Sequence, residues 1–144
     1  MVACYWVDGA RVDLEWGAAE DIVVDNGNVY VVGQWFDSTG WNGEACYWIN
    51  GTRYDIEGGA DPDTEVTGLA VDNGDVYISG VRSDGSVFGT NACYWKNGVR
   101  SDLTNASVDA MANSIGVNNG DAVSYTHLRA HETVLDLVCR LLLE

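Results

Sequence analysis

The chain has 144 residues, 22 acidic against 7 basic, and a formal net charge of -15. Such acidity disfavours a nucleic-acid backbone or an anionic membrane surface as a partner, and no apolar run reaches the roughly 18 residues that a membrane helix needs. With 47% hydrophobic residues, 17 glycines and a single proline, the composition suits a folded β chain with many tight turns rather than a disordered acidic tail.

Taken in chain order, the sequence repeats itself. ACYWVDGARVDL runs from Ala3 to Leu14, and the same element returns as ACYWINGTRYDI, Ala45 to Ile56, and ACYWKNGVRSDL, Ala92 to Leu103. A second element alternates with it: DIVVDNGNVYVVG from Asp21 to Gly33 and GLAVDNGDVYISG from Gly68 to Gly80. A third copy opens as NSIGVNNGD, Asn113 to Asp121, and then departs, reading AVSY where a VYV-type strand is due. Each element carries an Asp-Gly or Asn-Gly pair between short runs of aromatic and β-branched residues. That pattern predicts type I′ hairpins, because both central residues of the turn need a positive φ.

The predicted unit is a four-stranded antiparallel meander. In ACYW, Cys4 and Trp6 share one face and Ala3 and Tyr5 the other, as do their counterparts Cys46, Trp48, Cys93 and Trp95. Both faces are apolar, so one unit cannot cover its own surface and needs neighbours. The expected fold class is all-β: a fragment of a β-propeller with two complete blades, 20–56 and 67–103, and two partial ones, 3–14 and 111–121. Missing blades would normally cover both ends.

The motifs A-x-Y-W-x-N-G and V-Y-V-x-G resemble bacterial β-propeller repeats over residues 3–121, and more distantly the HAF-type extracellular repeats. The resemblance implies the propeller fold and an extracellular or periplasmic location; it implies no reaction. Residues 122–144 resemble something else, the translation of a sequencing-library adapter. VSYTHLRAHET (Val123–Thr133) and DLVCRLLLE (Asp136–Glu144) match it in one frame. The tail is therefore expected to be non-native, with 1–121 as the credible segment. Its loosely helical spacing and lack of Gly and Pro predict a helix all the same.

Few residues carry chemistry. Both histidines, His127 and His131, lie in the tail, so 1–121 has no histidine base and no G-x-S-x-G elbow; no catalytic residue is assigned. Cys4, Cys46 and Cys93 recur one unit apart, too far for disulfides, and read as small buried hydrophobes. Arg11, Arg53 and Arg100 stand two residues before Asp13, Asp55 and Asp102, on one strand face, and read as structural pairs. Asp25, Asp72 and Asn118 precede Asn-Gly turns and read as turn formers.

The least repetitive stretches are the candidate ligand contacts. Loop 34–42, QWFDSTGWN, offers Trp35, Phe36, Asp37 and Trp41 for a sugar or a protein surface. Segment 59–65, GADPDTE, spaces Asp61, Asp63 and Glu65 in a way reminiscent of a calcium loop but lacks the rest of that pattern. Asp84-Gly85 marks the loop matching 34–42. No cofactor or metal is assigned beyond that calcium alternative. The expected function is a non-catalytic binding or scaffold module of an exported bacterial protein, with a protein or glycan partner. The alternative is part of a carbohydrate-active enzyme whose catalytic residues lie in missing blades.

Overall fold

The computed structural model describes residues 1–40, 42–83, 89–105, 109–130 and 133–141, with side chains as far as residue 127. Twelve strands and no helix occur among them: β1 (Val2–Val7), β2 (Ala10–Asp25), β3 (Asn28–Phe36), β4 (Gly43–Ile49), β5 (Thr52–Asp55), β6 (Thr64–Asp72), β7 (Asp75–Ser83), β8 (Thr90–Lys96), β9 (Val99–Asp102), β10 (Asp109–Asn118), β11 (Asp121–Ala130) and β12 (Thr133–Leu141). They form three antiparallel meander sheets, β1-β2-β3-β4-β5, β6-β7-β8-β9 and β10-β11-β12.

The turns form where the Asp-Gly and Asn-Gly pairs lie. Asp8, Asn26, Asn50, Asn73, Asn97 and Asn119 all have φ between 48° and 52°, and each following glycine is also positive. Two of these asparagines also tie neighbouring hairpins together. Asn50 Oδ1 accepts from the Val29 N–H at 2.9 Å, and Asn97 Oδ1 from the Val76 N–H at 2.8 Å.

Packing follows the alternation of ACYW. Trp48 and Cys46, both fully buried, lie with Val31 against Tyr5 and Leu14 of the preceding repeat. Tyr47, Ala45 and Ile56, on the other face, meet Trp95, Cys93, Leu69 and Ile78 of the next sheet. Tyr94 and Tyr77 then meet Ile115 and Ala122 of the third sheet. The same head-to-tail contact is thus used three times. Each fully buried large side chain contributes roughly 1.5–3 kcal/mol, and the indole N–H groups are satisfied: Trp95 donates to the Glu57 carbonyl at 2.8 Å and Trp48 to the Glu15 carboxylate at 3.4 Å.

A β-bulge recurs at one place in every unit. The register slips between Ala19 and Asp21, between Val66 and Gly68, and between Ala112 and Ser114. Opposite the slip stand Gly33 and Gly80, where an added Cβ would lie 2.0 Å from the Ala18 carbonyl oxygen and 2.2 Å from that of Glu65. The third sheet has Thr126 at that register position. It also has Ser124, fully buried, where the earlier sheets have Val31 and Ile78; its hydroxyl donates to the Ser114 carbonyl at 3.0 Å.

Residues 121–130 and 133–141 are strands, which corrects the helix expected for the tail. The Asn119-Gly120 turn delivers the chain onto the edge of β10, and β11 pairs along it from Asp121 to Arg129. An edge strand is a ready template for whatever chain follows, and that template overrides local helix propensity. β2 is another departure in shape: one continuous strand whose first half pairs with β1 and whose second half pairs with β3. The connection from β5 to β6 instead contains turns over Glu57–Asp63.

Candidate functional site

The second half of β2 lies beside β6, and β6 beside β10. At one end of these strands is an open cleft of about 470 Å³, lined by Glu20, Gln34, Asp63, Glu65, Thr90 and Met111 among others. Glu20 is the extra residue of the first bulge, placed there by the register slip. Glu65 and Met111 occupy equivalent strand positions one unit apart, where the first unit has Ala18. The wall is therefore built at positions where the repeats differ.

The charge balance of this region is one-sided. Every described Lys or Arg side chain is engaged in an ion pair: Arg11 with Asp13, Arg53 with Glu15 and Asp55, Arg82 with Asp61, Lys96 with Asp75, and Arg100 with Asp102. The three Arg-Asp pairs expected from i,i+2 spacing form at 2.5, 3.3 and 3.2 Å. They lie at the surface and each adds little to stability. None of these cations lines the cleft, which keeps Glu20, Asp63 and Glu65 on its rim.

Loop 34–42 is more ordered by its own contacts than its aromatics suggest. Trp35 is half-buried, packs beside Trp48 and Val31, and carries the Arg53 guanidinium 4.4 Å from its ring centre. Phe36 closes over Gly43, where a Cβ would come within 2.8 Å of the ring. Asp37 organises the turn, accepting from the Thr39 and Gly40 N–H groups at 2.9 and 3.0 Å and from the Asn42 amide at 3.0 Å. The Thr39 hydroxyl and the Asn42 amide, with those backbone donors, hold its carboxyl below the usual range. Trp41 and Asp84-Gly85 lie outside the described residues, as do His131 and the side chain of Cys139.

The acidic segment 59–65 is turn up to residue 63 and then enters β6. Asp61 Oδ2 accepts from Arg82 at 3.2 Å and its Oδ1 from the Asp63 N–H at 3.3 Å. Among the described residues no three His, Cys, Asp or Glu side chains lie together as metal ligands would. Cys4, Cys46 and Cys93 are free thiols, and burial pushes Cys46 and Cys93 up to about 12.

Sequence reasoning singled out Asp63 and Glu65 as part of a solvated loop with calcium as an alternative and included Gln34 in loop 34–42, and it missed Glu20, Thr90 and Met111. The available signal was the mismatch between repeats at positions 18, 65 and 111, since a residue needed only for the fold recurs with it. Comparison with protein-family models, curated proteins and solved structures gives no match.

Proposed function

We propose that residues 1–121 are part of a β-propeller that acts as a non-catalytic binding module of an exported protein. Its ligand in this reading is a protein segment rich in Lys or Arg, received by the cleft between β2, β6 and β10. One observation carries the choice: the cleft wall is built from non-recurring residues and holds carboxylates with no lysine or arginine among them. Two of the aromatics that favoured a sugar platform are engaged in packing, Trp35 under Arg53 and Phe36 over Gly43. We further propose that residues 122–144 are foreign to the fold. Ser124 and Thr126 place hydroxyl side chains where the repeats use Val31 or Ile78 and Gly33 or Gly80.

The test is titration of the full chain with Lys/Arg-rich and neutral peptides, alongside a glycan panel. A basic peptide should bind with salt-weakened affinity, and Glu20→Gln with Glu65→Gln should reduce that affinity about tenfold, on the order of 1.4 kcal/mol. Glycan binding that is indifferent to both substitutions would refute the reading.

A further inference from the structure

The wall of the cleft continues past Gln34. Ala18 stands opposite Gln34 in the β2-β3 pairing, and Gly17 opposite Trp35. Side chains alternate along a strand, so Trp16 shares a face of β2 with Ala18, and Phe36 shares a face of β3 with Gln34. A Cβ added at Gly43 would lie 2.8 Å from the Phe36 ring and 3.6 Å from Gln34 Oε1, which puts both side chains on that face. Glu15 and Trp35 take the opposite face, where the Glu15 carboxylate accepts from the Trp48 indole and the Arg53 guanidinium. Trp16 therefore stands on the cleft side of the first sheet, about 7 Å along the strand from Ala18.

The repeat gives Trp16 no part in the fold. It is 56% exposed, and two residues after the matching Ile56 and Leu103 the other units have Gly58 and Asn105. Beside it the cleft carries Glu20, Asp63 and Glu65, with no lysine or arginine among the lining residues. The face of an indole attracts a cation, so ring and carboxylates favour the same charge. The far side of the same two strands shows which cation such a set of groups holds. There the Arg53 guanidinium lies 4.4 Å from the Trp35 ring centre while pairing with Glu15 and Asp55, each at 3.3 Å. A guanidinium can do both at once, because it is planar: its face stacks on the ring and its edge donates to carboxylates. An ammonium has no such plane.

Resting on the reading of this cleft as a site for a basic peptide, we propose that it selects arginine over lysine and that Trp16 is the selecting residue. A peptide guanidinium stacks on the Trp16 indole and donates from its edge to the cleft carboxylates, repeating the arrangement that Arg53 makes with Trp35 and Glu15. A lysine gains the charge of the carboxylates but not the combined stacking and paired hydrogen bonds.

Calorimetric titration of the full chain with two peptides of equal length and charge, one of alternating Arg and Gly and one of alternating Lys and Gly, tests the proposal. The arginine peptide should bind about fivefold more tightly. Trp16→Leu should bring the two affinities together by weakening the arginine peptide, and Trp16→Tyr, which keeps an aromatic face, should restore most of the preference. Trp16 is exposed, so the urea midpoint of both variants should match that of the parent chain, which separates lost selection from lost folding. Equal affinity for the two peptides, tighter binding of the lysine peptide, or a preference that survives Trp16→Leu would overturn the proposal and leave the basic-peptide site standing. Binding of neither peptide would remove both.

Discussion

Cys46 and Cys93 stand beside Trp48 and Trp95 with no exposed surface, and burial outweighs the nearby charges in raising their thiols from 9.0 to about 12. The sign of the pH effect follows. Between those limits the unfolded chain has released two protons that the folded chain keeps, so stability falls as pH rises from about 9 towards 12 and is undiminished below. Chemical denaturation at stepped alkaline pH should show that fall, and alkylation mapped by mass spectrometry should label Cys4 well before Cys46 or Cys93. Tryptophan substitutions should split the same way. Trp48→Ala and Trp95→Ala each remove a buried indole and should cost about 3–5 kcal/mol, while the exposed Trp6→Ala should stay within about 0.5 kcal/mol when the chain is monomeric. These side chains were legible in the sequence because period-2 alternation with apolar residues on both faces leaves no solvent side. The differing fate of the first copy was not legible, since exposure of Trp6 depends on what lies next to it rather than on its neighbours in sequence.

At the scale of the element, the hairpins were read correctly from two-residue turns, because Asn-Gly and Asp-Gly satisfy a backbone requirement that few other pairs meet. The bulges were not foreseen. A slip in register has no signature of its own; its trace is the glycine opposite, at positions 33 and 80, and glycine in a strand has several explanations. Gly33→Ala and Gly80→Ala should each destabilise the fold by about 1–3 kcal/mol as the Cβ meets a carbonyl oxygen, measured by urea unfolding against Gly116→Ala, where the added Cβ meets nothing within 4 Å. The tail was misread as helix for a related reason. Its residue types favour helix, but β10 offers an edge, and pairing along an edge depends on backbone groups that every residue except proline has.

For the whole molecule, three sheets share one repeated interface, so the open face of the first sheet, with Trp6 and Ile22 exposed, is a copy of an inner one. That much follows from repetition. The cleft does not, because it is assembled from β2, β6 and β10, and its lining residues come from positions where the repeats disagree. Three sheets coupled through two interfaces should also unfold unevenly. Hydrogen exchange should be slowest in β7 and β8, which are covered on both sides, and fastest in β1, which lies at an open edge.

Five of the six turns, those built on Asn-Gly, also set how the protein ages. An asparagine followed by glycine is readily attacked by the next backbone nitrogen, because no side chain shields it, and the resulting imide opens to aspartate or isoaspartate. Each event adds negative charge to a chain already at -15. The Asn50 and Asn97 amides are held at both atoms, the oxygen by Val29 and Val76 and the nitrogen by Asn28 and Asp75. Next to Asn119 the attacking Gly120 nitrogen is itself held, donating to the Asp72 carboxylate at 2.8 Å, so stored protein should acquire isoaspartate at Asn73 first, with the Asn50 and Asn97 corners outlasting it.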